Sequence, residues 1–332
     1  MVCFRLLSTA SVPYPIIQST DVKFELQNVN SIISEGTVPW GRGSGFAYDY
    51  SYFPGLEIVV SVLSVVSLIP QVALLKYAGS LLGVITVTLF LRIYFNTAEK
   101  QPVYWLAAVL AALSPWFIAF DTYLVHQTPA FLLLGMLFLS LSEGTRREWI
   151  IVTLLGMTGI VVTHAFTSYI CTFLLLLLTT LKWHSGKKTS AALPNLRNVT
   201  TIVVVIMTLA WTFFASIGYL PNLFRFVNAV TESLFVPEFT LRTVSPTGTK
   251  PLWVVALSAT GLMTYFLIAF GIFARALLGK HAQNRREHWL AFGGFLIFGA
   301  LHAPYLTGFS VGTDLQGRGL TYLYFLTAPL VG

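Results

Sequence analysis

Apolar runs of roughly membrane-crossing length recur from residue 72 onward: Val72–Phe95, Val103–Phe120, Pro129–Ser142, Trp149–Thr163, Phe166–Trp183, Val199–Leu220, Leu252–Leu278 and Trp289–Leu306. A bilayer core takes about 20 apolar helical residues to cross. Lipid offers no partner to an unpaired backbone group, so such runs have to be helices. A ninth run begins near Leu320 and is cut off. The pattern predicts an all-α, polytopic transmembrane helical bundle of about nine spans. One run departs from it: Leu56–Ile69 has fourteen residues between Pro54-Gly55 and Pro70. That length suits an interfacial or juxtamembrane helix rather than a span.

Of 332 residues, 55% are hydrophobic and only 10% charged, against about 25% charged in an ordinary soluble domain. The net charge of +7 does not indicate nucleic acid, because the basic residues stand in short clusters between apolar runs, where they set topology. With Leu56–Ile69 not crossing, alternate connections carry twelve of the twenty basic residues, Arg146, Arg147, Lys187, Lys188, Arg285 and Arg286 among them. The opposite side receives nine of the thirteen acidic residues. The positive-inside rule then places residues 20–54, 121–127, 221–251 and 308–318 on the external face. The sequon Asn198-Val199-Thr200 falls on the other side and is expected to be unused. Cys3 and Cys171 are too far apart in sequence, and too apolar in setting, to suggest a disulfide framework or thiolate metal site. No signal peptide is read at the start, and both ends read as those of a fragment.

The polar chemistry gathers in Thr20–Pro54, TDVKFELQNVNSIISEGTVPWGRGSGFAYDYSYFP. Val22, Val29, Ile32 and Ile33 predict a helix. Asp21 and Glu25 then share a face, one turn apart, where two carboxylates repel, raise a pKa or share a cation. The plainer alternative makes Asp21 an N-cap and leaves Glu25 solvated. Gly36, Gly41, Gly43 and Gly45 lead into Tyr48, Asp49, Tyr50 and Tyr52. Those tyrosines are either interfacial anchors or platforms on which a sugar stacks. The glycines lack the Lys and the preceding strand of a phosphate loop.

The order D-x-x-x-E-L, N-S-I-I-S-E-G-T-V-P-W and Y-S-Y-F-P-G-L-E-I-V-V-S-V-L-S resembles the first external loop of membrane glycosyltransferases with the GT-C fold. The likeness covers about the first 140 residues. It is nearest to archaeal and bacterial members and more distant to oligosaccharyltransferase catalytic subunits and protein O-mannosyltransferases. The resemblance implies that Asp21 is the catalytic carboxylate. It further implies that Leu56–Ile69 is a juxtamembrane helix and that the donor is a polyprenyl-phosphate-linked sugar. Many relatives carry a second acid or a His directly after the first Asp, whereas Val22 and Lys23 follow here. Metal dependence is therefore left open, with Glu25 and Asp121 as ligands if a divalent cation, Mg2+ or Mn2+, is used.

Further external segments carry candidates. In FDTYLVHQTP, Asp121 and His126 stand between spans, where they serve as a cap and a boundary residue or, as the resemblance implies, face a metal or phosphate. His164, in VVTHAFTSY, reads as a buried, hydrogen-bonded histidine rather than a base. Arg242 stands in the mixed-charge 221–251 loop, which suits acceptor contacts. Arg318, at the mouth of the last run, is either an ordinary snorkelling arginine or a bidentate phosphate contact, the role the resemblance implies for an Arg at this position.

The sequence thus divides into an external loop (1–55) holding the catalytic acid, a juxtamembrane helix (56–70) and a transmembrane domain (71–332). Expected partners are a lipid-linked sugar donor, a glycan, protein or lipid acceptor, and membrane lipids. The expected location is the cell membrane of an archaeon or bacterium with the active face outside. Glu25, Tyr48, Asp49, Tyr50, Tyr52, His126, Arg242 and Arg318 would bind substrate around Asp21. A transporter or flippase, or a non-catalytic membrane scaffold, are the alternatives; charge-poor span centres disfavour the first.

Overall fold

A computed structural model of the chain describes residues 20–41, 51–97, 124–143, 147–184 and 192–221, with residues 224 and 228. The chain divides into two units, Met1–Glu99 with Ala111–Asn222, and Lys100–Leu110 with Leu223–Gly332. All described residues except 224 and 228 belong to the first unit. Its described residues are helical, with no strand.

Seven α-helices follow in order: α1 (Thr20–Glu35), α2 (Gly55–Ser67), α3 (Gln71–Thr97), α4 (Gln127–Glu143), α5 (Arg147–Thr163), α6 (Ala165–His184) and α7 (Ala192–Ala210). A π-turn, Trp211–Ala215, and a 3-10 turn, Ile217–Tyr219, close the series. α1 covers the helix expected from Val22, Val29, Ile32 and Ile33, of which Val22 and Val29 are buried. α2 has 13 residues, about 20 Å at 1.5 Å per residue, short of the roughly 30 Å of a bilayer's hydrocarbon. It stops at Leu68, which adopts φ +59°, and Pro70 follows, as is common after a helix end. Among the described residues one helix, over Gln71–Phe90, is long and apolar enough to cross a membrane; shorter apolar helices lie in α2, α4, α5, α6 and α7.

Pairwise contacts give the helix directions. Ser140 Oγ lies 2.7 Å from Thr153 Oγ1, and the Cα hydrogens of Gly156 and Gly159 face Leu137 and Leu133 respectively. As numbers fall on α4 they rise on α5, so the two run antiparallel. α6 and α7 do likewise through Tyr169–Thr212, Thr172–Thr208 and Thr179–Thr201, hydroxyl pairs of 3.1, 3.1 and 3.0 Å. α3 and α4 instead run parallel: Leu75 O accepts from Leu124 N at 2.7 Å, and Gly135 packs on Phe90 fifteen residues on. The connection between them, residues 98–123, lies outside the described residues.

These directions collect one set of chain ends. Gly55 at the start of α2 abuts Thr163 at the end of α5, close enough that a Cβ would lie 2.6 Å from Thr163 Oγ1 and 3.1 Å from Thr163 Cα. Trp211 Nε1 donates to Tyr52 O at 3.1 Å, and the Phe53 and Tyr219 rings meet edge to face with centroids 5.4 Å apart. Under this end Val22, Val29, Leu56, Val60, Leu75, Leu124 and Val125 form one buried apolar cluster. Elsewhere aliphatic side chains stand outward at helical spacing, such as Leu81 and Ile85, Ile151 and Leu155, and Ile202, Ile206 and Leu209.

Candidate functional site

The turn before α4 places His126 between two glutamates. Pro129 falls in the first turn of α4, where its missing N–H leaves no helical hydrogen bond unmade. His126 Nδ1 lies 2.8 Å from Glu25 Oε1, and its backbone N–H donates to the same oxygen at 3.0 Å. On the other ring edge Nε2 lies 2.9 Å from Glu57 Oε2. Asn28 Nδ2 donates to Glu57 Oε1 at 3.3 Å. Asn28 lies nearly one turn after Glu25 on α1, and Glu57 sits in the first turn of α2, where the helix dipole favours an anion. Glu25 and Glu57 are wholly buried and His126 is 2% exposed.

Burial is the largest influence on Glu25, pushing its carboxyl up to about 7; Glu57's charge adds to this and His126 opposes it. For His126 burial works against the imidazolium, but Glu57's charge and the bonds to both carboxylates outweigh it and push the ring up to about 10. Near neutral pH the ring is therefore a cation that donates both N–H groups, one to each carboxylate. Three elements, α1, α2 and the start of α4, are fastened through one residue.

The cluster keeps spare hydrogen-bonding capacity. Among the described residues, Glu25 Oε2 and both amide atoms of the buried Gln127 have no hydrogen-bond partner. For a divalent cation the fit is poor among the described residues: Glu25 Oε1 and both His126 nitrogens are taken, and no group of three or more His, Cys, Asp or Glu is arranged to hold a metal.

Of the residues singled out from sequence, Glu25 and His126 are brought together, as partners of each other. Glu25 is not the solvated residue of the plainer reading. Asp21 lies in the first turn of α1, one turn before Glu25; its side chain is outside the described residues, as are Tyr48, Asp49, Tyr50, Asp121, Arg242 and Arg318. Tyr52 is half-buried and offers its carbonyl to Trp211. His164 is buried and caps α6: its Nδ1 accepts the Thr167 N–H at 3.2 Å and meets Thr167 Oγ1 at 2.7 Å. Cys171 is a free, buried thiol. Sequence reasoning missed Asn28, Glu57 and Gln127. A signal for Glu57 was available: a carboxylate two residues after Pro-Gly, entering an apolar helix, has to find a partner.

No protein family, curated protein or solved structure matches this chain.

Proposed function

We propose that the chain is a polytopic membrane glycosyltransferase that moves a sugar from a polyprenyl-phosphate carrier to an acceptor hydroxyl on the external face. The membrane setting is supported by outward aliphatic side chains on α2, α3, α5 and α7, a surface soluble monomers rarely expose at this extent. The observation that carries the reading furthest is the 2.8 Å contact between Glu25 and His126. It joins two segments, 20–54 and 121–127, that charge bias assigns to one side of the bilayer. It also fixes the helix on which Asp21 rides.

In this mechanism Asp21 accepts the proton of the acceptor hydroxyl as that oxygen attacks the sugar C1. The bond from C1 to the phosphate oxygen breaks, the lipid phosphate leaves with the electron pair, and the anomeric centre inverts. Arg318, with Arg242, would stabilise the departing phosphate. Glu25, whose Oε1 is held by the ring and backbone of His126, positions the helix that carries Asp21.

The test is transfer from a radiolabelled polyprenyl-phosphate sugar pool in membranes carrying the protein, with Asp21→Asn alongside. Loss of transfer in a correctly inserted variant supports the role of Asp21; full transfer by that variant removes it. A second reading, a proton-coupled carrier or flippase, is favoured by the buried carboxylate–imidazole–carboxylate set. It predicts pH-gradient-driven flux in proteoliposomes and no sugar transfer.

A further inference from the structure

The inner face of α1 is half polar. Its buried side chains include Val22, Glu25, Asn28 and Val29, spaced so that one stripe of the helix meets its neighbours. Two of these four hold α1 through bonds to charged groups: Glu25 to His126 in the turn before α4, and Asn28 to Glu57 on α2. Ser61 Oγ adds a long bond to Val29 O at 3.5 Å. A helix whose seat depends on buried charge opens readily when that charge is unbalanced.

The hydrogen bonds decide where a proton can enter without breaking one. Glu57 offers no such place, since Oε1 takes the Asn28 amide at 3.3 Å and Oε2 faces the ring Nε2 at 2.9 Å. On Glu25, Oε1 carries both the ring Nδ1 at 2.8 Å and the His126 backbone N–H at 3.0 Å. Oε2, by contrast, has no hydrogen-bond partner among the described residues. The imidazolium stands between two carboxylates, and all three side chains are buried. One negative charge of the trio is therefore unbalanced, and a proton on Glu25 Oε2 neutralises it.

Titratable groups on each neighbouring element are these. On α1, Lys23 and Glu35 are exposed, and Asp21 lies one turn before Glu25. Glu57 on α2 and His126 before α4 are the groups whose charges act on Glu25. α3, which packs on α1 and α2, carries Lys76 and Tyr77 in its second turn, the ammonium 5.5 Å from the ring centroid. His164, just past the end of α5, binds Thr167 through Nδ1.

We propose that α1 is a proton-operated latch: a proton on Glu25 Oε2 seats the helix against α2 and the turn before α4, and loss of that proton loosens it. Asp21 rides in the first turn of α1, so the same proton sets where that carboxylate stands. The latch does not depend on the transferase reading. Burial raises the Glu25 carboxyl to about 7, so the seated helix keeps a proton that the loosened one gives up. Opening of α1 should therefore grow as pH rises from about 4.5 to 7. Loss of the His126 proton adds a second rise that starts near 6.5.

Hydrogen–deuterium exchange of the full chain in lipid nanodiscs tests this, read by mass spectrometry from pH 5 to 6.5 and corrected for the intrinsic pH dependence of exchange. Across that range, linkage to the Glu25 proton should open α1 peptides by about twenty-fold. Glu25→Gln, which cannot ionise, should change them by no more than about two-fold, the share left to His126. Peptides from α6 should stay better protected at every pH. An α1 signal flat with pH in wild type, or one that keeps its slope in Glu25→Gln, overturns the proposal. So does α1 opening at the same rate and slope as α6, because the proton then acts on the fold as a whole. If Glu25→Gln fails to insert, infrared spectroscopy of the wild type decides: a carboxylic-acid C=O band should grow in as pH falls from 8 to 6, and its absence overturns the latch.

Discussion

Replacing His126 with leucine should be among the most damaging single changes in the described part of the molecule. The ring bridges two buried carboxylates at 2.8 and 2.9 Å, so its loss removes two charge-assisted hydrogen bonds and strands two anions away from water. Breaking one partner out of a buried ion pair costs about 3–5 kcal/mol. Glu25 has an escape, because its carboxyl already sits near 7 and can take a proton at small cost. That places the expected loss at the lower end, about 3 kcal/mol. At about 2–4 °C per kcal/mol for a unit of this size, the midpoint in detergent at pH 6.5 should fall by about 6–12 °C. Glu25→Gln is the control: its amide oxygen still accepts from the ring and from the His126 backbone, and the stranded charge is gone, so about 1 kcal/mol is expected. His126→Leu melting within 2 °C of wild type would refute this account of the cluster, as would Glu25→Gln costing as much as His126→Leu.

Other outcomes follow from the same geometry. Both pKa changes are upward, so the folded state holds more protons than the unfolded chain. Stability should therefore fall as pH rises from about 4.5 to 7 through Glu25 and from about 6.5 to 10 through His126. Thermal midpoints measured from pH 5 to 9 should decline, and Glu25→Gln should flatten the acid half of that slope. Gly55→Ala should cost about 1–3 kcal/mol by overpacking, since its Cβ meets Thr163 Oγ1 at 2.6 Å. Thr163→Ala should rescue it only in part, because the Thr163 Cα at 3.1 Å remains; chemical denaturation of the three variants reads both effects. Thr208→Val, which breaks one hydroxyl pair of the α6–α7 seam, should cost only about 0.6 kcal/mol, readable in the same denaturation series.

Much of the helix layout was legible because burial and lipid exposure both act on runs of apolar residues. Val72–Phe95 became α3, and Leu56–Ile69, bounded by Pro54-Gly55 and Pro70, became the short α2. The site was legible only by halves. An i, i+4 spacing put Asp21 and Glu25 on one helix face, but nothing local tells a carboxylate whether its partner is water or a histidine 101 residues away. Glu57 was hidden for the same reason, since its partner His126 is 69 residues distant. Trp40 and Trp211 are 171 positions apart in sequence, and no local pattern pairs their rings. Of the tyrosines expected as sugar platforms, Tyr52 is half-buried with its carbonyl on Trp211, and Tyr48 and Tyr50 lie outside the described residues.

The most direct test of the transferase reading follows the anomeric carbon. Polyprenyl-phosphate sugar labelled with 13C at C1 is incubated with the full chain in proteoliposomes, and the product and released lipid are examined by NMR and mass spectrometry. Direct displacement at C1 predicts a product of inverted configuration and a lipid that leaves with its phosphate. A product of retained configuration, or a donor that crosses the bilayer with its sugar still attached, would contradict it.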